Sequence, residues 1–145
     1  MRFLVDTHCW LWAINSPERL QPVAVELIEG KENTVMFSAV SALEIAIKYS
    51  TGKLQLPELP EAFVTSRMAT FALTPLPVYL SHALRVGLLP KLHRDPFDRL
   101  LVAQSQVERL PLMTADAVIA AYDVEVIWAA RGRVPRGLRS WTGIN

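Results

Sequence analysis

Short apolar runs alternate with longer stretches of helical periodicity along this chain. The apolar runs predict five β-strands, at residues 2–5, 34–37, 71–76, 110–114 and 125–128. They are apolar throughout rather than alternating, which is typical of strands that are covered on both faces. Strands separated by helices indicate βα units and a parallel sheet. We therefore expect an α/β fold, a three-layer α/β/α sandwich on a central parallel sheet of about five strands.

Helix signals fill the gaps between these runs. Helices are expected to begin after Asp6, after Ser16 with Pro17 at the first helical position, after Ser38, and after Asp95 with Pro96. Ser and Asp accept hydrogen bonds from the free N–H groups of a first turn, and proline needs no donor there. The predicted ranges are 17–29, 39–50, 58–68, 78–86, 96–109 and 115–122.

Composition and length indicate one folded domain. The chain has 145 residues, of which 51% are hydrophobic, and a single cysteine, Cys9, so it can form no internal disulfide. This is consistent with a cytoplasmic protein, and the pattern shows neither an export signal nor a membrane span. We expect a domain at 1–128 and an irregular basic extension at 129–145.

The net charge of +1 says little about partners, but its distribution is uneven. Four arginines and no acid occur between Arg131 and Arg139. Such a stretch can meet phosphates or can be a solvated tail. Arg99, Arg131 and Arg133 are our weak candidates for phosphate contact.

Four acids fall where a parallel sheet places its site, at the carboxyl ends of the strands. Asp6 follows the first strand and Asp116 follows the fourth. Glu44 lies in the helix after the second strand, and Asp98 lies in the first turn of the helix before the fourth. The hypothesis is that all four converge on one pocket.

Four carboxylates in a partly dry pocket repel one another unless a cation joins them. Oxygen ligands favour Mg²⁺ or Mn²⁺ over zinc, and the scattered His8, His82 and His93 have no zinc-binding spacing. Bound Mg²⁺ can activate water against a phosphodiester.

Each acid also has a purely structural interpretation. Asp6 can cap a helix, and Glu44 can pair with Lys48 four residues later. Asp98 can be the N3 residue of a capping box whose N-cap is Asp95, and Asp116 can interact favourably with the dipole of the helix in whose first turn it lies. From position alone we favour a functional role for Asp6 and Glu44 and leave Asp98 and Asp116 open.

The chain resembles the PIN-domain nucleases, and more closely the VapC-type toxins of type II toxin–antitoxin modules. The resemblance runs from Arg2 to about Trp128 and is carried by four segments in the family's order. They are LVDTHCWLW from Leu4, SAVSALEIAIK from Ser38, LPKLHRDPFDRLLVAQ from Leu89 and LMTAD from Leu112.

The resemblance implies a metal-dependent endoribonuclease. Asp6, Glu44, Asp98 and Asp116 match the acids that hold Mg²⁺ or Mn²⁺ in that family. It also implies that Thr7, Ser38 and Thr114 orient carboxylates or waters around the metal, and that the strand order is 3-2-1-4-5. The implied partners are RNA, a cognate antitoxin and a second copy of the chain in a homodimer.

Two other functions compete with this hypothesis. A phosphatase using Asp6 as nucleophile commonly needs a second aspartate two residues later, where this chain has His8. A non-catalytic RNA- or protein-binding module would keep the fold alone. No glycine-rich phosphate loop is present in the sequence.

Overall fold

A computed structural model describes residues 1–143, so that Ile144 and Asn145, at the end of the predicted extension, lie outside the described residues. The strands are β1 (Arg2–Val5), β2 (Thr34–Ser38), β3 (Thr74–Leu76), β4 (Leu112–Thr114), β5 (Glu125–Trp128) and β6 (Arg139–Ser140). The α-helices are α1 (Thr7–Asn15), α2 (Pro22–Glu29), α3 (Ala39–Ser50), α4 (Pro60–Thr70), α5 (Leu80–Arg85), α6 (Pro96–Glu108) and α7 (Ala117–Ala120). Short 3₁₀ turns occupy Pro17–Arg19 and Val86–Leu88.

The six strands form one sheet in the order β3-β2-β1-β4-β5-β6, and every pair is parallel. This confirms the expected α/β fold, with a sixth strand beyond the five that the sequence indicates. The strand order reverses between β1 and β4, where Val5 is in register with Met113. The site of a parallel sheet lies outside such a switch point.

Helices cover both faces of the sheet and create two hydrophobic cores. Successive side chains of β1 point to opposite faces. Phe3 and Val5 enter the core that contains Trp10, and Leu4 enters the core that contains Leu101. Trp10 is fully buried, with its ring centroid 4.5 Å from that of Phe37. This packing anchors α1 directly after β1, next to the switch point.

Capping explains where several helices begin. Ser38 accepts a hydrogen bond from the Val40 N–H at the start of α3, and Asp95 accepts from the Phe97 N–H at the start of α6. Both residues are the caps that the sequence predicts. Gly52 adopts a φ of 74° after α3, a conformation that costs glycine little.

The predicted continuous helix at 17–29 is wrong. The chain forms the 3₁₀ turn at Pro17–Arg19, becomes extended at Leu20 and Gln21, and begins α2 at Pro22. Proline disfavours helical backbone in the residue that precedes it. The extended segment forms an antiparallel bridge from Leu20 to Ala130.

The prediction of an irregular extension after Trp128 is also wrong in part. Glu125 pairs with Arg139 and Val126 with Ser140, which adds β6 to the edge of the sheet. Trp141 then packs against the core that contains Trp10. Among the other predicted elements, β1, β5 and α3 have the predicted ends. In contrast, β3 and β4 are shorter than predicted, and the helix predicted at 115–122 is confined to Ala117–Ala120. No helix within residues 1–143 has the length and apolarity that crossing a bilayer requires.

Candidate active site

Asp6 follows β1 directly and is held through both carboxylate oxygens. It is 2% exposed and caps α1, since Oδ1 accepts a hydrogen bond of 2.8 Å from the Cys9 N–H. Its Oδ2 accepts a 2.6 Å hydrogen bond from the hydroxyl of Thr114 at the end of β4. Burial raises the pKa of Asp6, although the hydrogen bonds from Thr114 and Cys9 favour the charged form.

Thr114 connects Asp6 to Asp116. The same hydroxyl that donates to Asp6 accepts a 3.0 Å hydrogen bond from the Asp116 N–H. Asp116 in turn caps α7 through Oδ1, which accepts from the Val118 N–H. The pairing of β1 with β4 therefore brings Asp6 and Asp116 to one end of the sheet, although 110 positions of sequence separate them.

A histidine joins Asp116 to Asp98. Nε2 of His93 lies 3.0 Å from Asp98 Oδ2 and 3.1 Å from Asp116 Oδ2. Ligand atoms of these three side chains lie within 4.8 Å of one another, so together they form a potential metal-binding group. Sequence reasoning did not select His93 as a site residue. Its position two residues before the capping Asp95 is the signal that could have suggested otherwise.

Glu44 faces the same region from α3 and is 1% exposed. Its Oε2 forms a 2.5 Å ion pair with Lys48, which is the structural interpretation offered above. Its Oε1, however, is buried and accepts no hydrogen bond from the described residues. A buried oxygen without a partner costs free energy, and a cation would satisfy it.

The electrostatics of Asp98 show how closely the acids approach. Burial and then the negative charges of Asp95, Glu44 and Asp6 raise the pKa of Asp98 to about 7, against a smaller opposing effect of His93. The capping-box interpretation of Asp98 fails, because the Asp95 N–H donates to Nδ1 of His93. Asp98 is therefore a buried carboxylate in the field of other carboxylates.

The three predicted hydroxyl residues have different surroundings. Thr114 contacts Asp6 directly. Thr7 donates to the Ser41 hydroxyl at 2.8 Å, and Ser38 donates to Gln104 at 2.5 Å while it caps α3. Thr7 and Ser38 thus position α3, the helix that carries Glu44, and a direct role of either residue around a metal stays a prediction.

The three arginines that we predicted as weak phosphate contacts either donate hydrogen bonds to backbone carbonyls or are exposed. The Arg99 guanidinium donates to the carbonyls of Val86 and Leu89, and Arg131 donates to the Glu18 carbonyl. Arg133 is exposed. Their RNA contacts stay predictions.

Three basic residues that sequence reasoning did not select as site residues lie around a cavity beside Glu44. A cavity of about 330 Å³ lies beside Glu44 and is also lined by His8, Lys48 and Lys53. Lys48 lies four residues after Glu44, which offered a signal, whereas Lys53 had none. The cavity could accept part of an anionic ligand next to the carboxylates.

The donor set fits a hard divalent cation. Asp6, Glu44, Asp98 and Asp116 offer carboxylate oxygens, which Mg²⁺ and Mn²⁺ prefer. The buried Glu44 Oε1 and the raised pKa of Asp98 both mark negative charge that the protein itself leaves incompletely compensated. These residues could hold such a cation directly or through water.

Comparison with known proteins agrees with this architecture. The PIN domain family model matches residues 3–125. Ribonuclease VapC16 from Mycobacterium tuberculosis is 39% identical over 56 residues, which are 39% of this chain and 40% of that protein. The aligned region thus spans less than half of this relative.

Several solved structures share the fold at low sequence identity. VapBC2 from Rickettsia felis, bound to a promoter DNA fragment, has a TM-score of 0.61 at 20% identity, covering 81% of this chain and 89% of that one. A toxin–antitoxin complex from Klebsiella pneumoniae has a TM-score of 0.60 at 17% identity, covering 87% and 96%. FitAcB from Neisseria gonorrhoeae has a TM-score of 0.53 at 20% identity, with the same coverage. Because the family model covers most of the chain and the fold agrees, this chain belongs to the PIN domain family.

Proposed function

We propose that this protein is a ribonuclease that hydrolyses RNA phosphodiester bonds with Mg²⁺ or Mn²⁺. Asp6, Glu44, Asp98 and Asp116 would hold the cation directly or through water. The observation that carries the proposal is the concentration of buried negative charge around Asp98, whose pKa burial and neighbouring acids raise to about 7. A fold gains no stability from such repulsion, so a ligand that relieves it is the simplest physical reason for it.

The chain's own residues supply positioning. A bound divalent cation lowers the pKa of a coordinated water and neutralises charge that develops on a phosphodiester. Asp6 is fixed by Cys9 and Thr114, and Asp116 is fixed by the start of α7, so neither carboxylate has to be ordered when substrate binds. Lys48 and Lys53 line the adjacent cavity, where they would attract the phosphates of an RNA strand.

The biological part of the proposal is a toxin of a type II toxin–antitoxin system. It is supported by the relative named Ribonuclease VapC16 and by the solved toxin–antitoxin complex that shares the fold. A cognate antitoxin, a homodimer and a cytoplasmic location are parts of the same proposal.

The decisive experiment compares RNA cleavage by wild type, Asp6→Asn and Asp123→Asn with Mg²⁺, with Mn²⁺ and with EDTA. Asn can still accept from the Cys9 N–H, so Asp6→Asn should fold while it loses a metal ligand. Asp123 is the matched control, since it is 81% exposed and pairs with Arg139 at the edge of the sheet. We expect metal-dependent cleavage by wild type and Asp123→Asn, and a loss of at least about 100-fold in Asp6→Asn.

Two outcomes would reject the proposal. Equal cleavage by wild type and Asp6→Asn would show that the carboxylate of Asp6 takes no part in the reaction. Hydrolysis of small phosphate esters without RNA cleavage would favour a phosphatase. The toxin assignment has its own test, because expression of wild type should arrest growth and expression of Asp6→Asn should not.

A further inference from the structure

We propose that His93 is a positioning residue whose Nε2–H orients Asp98 and Asp116 for the cation, and that His93 is not itself a metal ligand. This inference rests on the proposed function in assuming that a divalent cation binds the acids. It concerns a residue that lies in a potential metal-binding group of the described chain, where a ligand role would be the first interpretation.

Four contacts anchor His93. Its backbone N–H donates to the Tyr122 hydroxyl at 2.8 Å. On the ring, Nδ1 accepts a 3.1 Å hydrogen bond from the Asp95 N–H, and Nε2 lies 3.0 and 3.1 Å from the Oδ2 atoms of Asp98 and Asp116. The imidazole therefore has a defined orientation, with one nitrogen toward the start of α6 and the other toward two carboxylates.

The contact with Asp95 determines the tautomer. A backbone N–H can only donate, so Nδ1 must present its lone pair to it. The ring proton of the neutral imidazole is then on Nε2, the atom that faces Asp98 and Asp116. Asp116 Oδ2 accepts a hydrogen bond from this Nε2–H, and Asp98 Oδ2 lies 3.0 Å from the same nitrogen.

A ligand role would break this arrangement. Nε2 could bind a cation only through its lone pair, which would move the ring proton to Nδ1. Nδ1–H and the Asp95 N–H would then face each other as two donors across 3.1 Å. Histidines that bind metal normally point the other ring nitrogen at a carboxylate or carbonyl acceptor, and here that position holds a donor.

The donor instead joins the two acids. The Nε2–H donates to Asp116 Oδ2, and Nε2 also lies 3.0 Å from Asp98 Oδ2, so the positive end of the N–H dipole reduces the repulsion between the two acids. His93 engages a single oxygen of each acid, which leaves Asp98 Oδ1 available to a cation. The same ring secures the Asp95 N–H at the start of α6, so His93 couples the helix cap to the carboxylate geometry.

Two amide substitutions separate the two ring nitrogens. His93→Asn places an acceptor near the position of Nδ1, within reach of the Asp95 N–H, but it is too short to reach Asp98 and Asp116. His93→Gln places an amide donor near the position of Nε2 and keeps the contact with the acids. Each variant keeps one half of the function of the ring.

The experiment measures Mg²⁺ and Mn²⁺ affinity by titration calorimetry for wild type and both variants, with thermal unfolding as the control for folding. We expect His93→Asn to weaken binding of both ions about tenfold, with an unchanged ratio of Mg²⁺ to Mn²⁺ affinity. His93→Gln should stay within about threefold of wild type, a rescue by the conserved donor.

Three results would overturn the inference. If both variants lost Mn²⁺ affinity more than Mg²⁺ affinity, His93 would be a nitrogen ligand, since imidazole favours the softer ion. If neither variant changed metal affinity, His93 would only support the fold. If wild type bound neither ion, there would be no metal geometry to position. Wild type that binds metal with the expected variant pattern but cleaves no RNA would refute the proposed function and leave this inference standing.

Discussion

The free energy stored in the acid cluster can be measured through Asp98. Asp98→Asn removes one buried negative charge while it keeps the shape of the side chain and an oxygen that can accept from His93. Without metal, we expect this variant to be more stable than wild type at pH 8, although the substitution destroys a proposed metal ligand. Most substitutions of buried residues destabilise a protein, so the direction of the change is informative.

The magnitude follows from the raised pKa of Asp98, which burial and then Asp95, Glu44 and Asp6 raise from 3.8 to about 7. At about 1.4 kcal/mol for each pH unit, the ionised side chain costs the folded state about 4 kcal/mol. The side chain keeps 10% of its surface exposed, and the variant loses the attraction between the Asp98 carboxylate and the His93 Nε2–H. We therefore expect a net gain of about 2 kcal/mol, or about 6 °C in the unfolding midpoint.

The pH dependence gives the sign of the effect. A carboxyl whose pKa is raised on folding is tolerated at low pH, where it is protonated in both states, and it destabilises the fold as pH rises from about 4 to 7. The advantage of Asp98→Asn should therefore be full at pH 8 and disappear near pH 5.

Urea unfolding in EDTA, followed by fluorescence of the buried Trp10 and the other tryptophans, measures this difference. Asp123→Asn is the control and should change stability by less than about 0.5 kcal/mol. Saturating Mg²⁺ should stabilise wild type more than Asp98→Asn, because Asp98→Asn lacks one of the four acids. If Asp98→Asn were as stable as wild type or less stable in EDTA at pH 8, the reasoning about buried repulsion would be refuted.

Three further predictions test other parts of the structure. Thr114→Val removes the hydroxyl between Asp6 and the Asp116 N–H, so we expect a loss of about 1–2 kcal/mol of stability in urea unfolding and weaker Mg²⁺ binding in calorimetry. Thr114→Ser should keep the stability and the Mg²⁺ affinity of wild type. Equal Mg²⁺ affinities of the two variants would contradict the assigned contact. Lys48→Met leaves the buried Glu44 without its counter-charge and should lower the free energy of unfolding by about 2 kcal/mol in EDTA. Mg²⁺ should restore most of this stability, and if it did not, Glu44 would not face the cation. Trp141→Ala should cost about 2 kcal/mol if the segment after β5 folds with the domain, and an unchanged unfolding midpoint would show that it does not.

Local signals in the sequence were sufficient for much of the architecture. Caps such as Ser38 and Asp95 act on N–H groups two or three residues away, so their effect can be read from neighbouring positions. The apolar runs likewise located the five main strands, and Asp6 at the end of the first run was placed correctly. The wrong helix at 17–29 also has a local cause, because Pro22 interrupts the helix that Pro17 was expected to open.

Long-range pairing decided the rest. The strand order was expected only from resemblance, because apolar runs do not specify which runs become neighbours. The pairing of β1 with β4 joins Asp6 to Thr114 across 108 positions, and the return of the chain after β5 places Arg139 beside Glu125. Neither contact has a local signature.

His93 shows why the functional assignment of a residue depends on the assembled fold. Along the chain it precedes a helix cap by two positions and looks like a surface residue. In the folded protein its ring lies beside both Asp98 and Asp116. Asp98 is in α6, whereas Asp116 follows β4 and begins α7. Helix and strand propensities arise from hydrogen bonds and packing within a few residues, whereas the meeting of these three side chains depends on which strands pair and how the helices cross them.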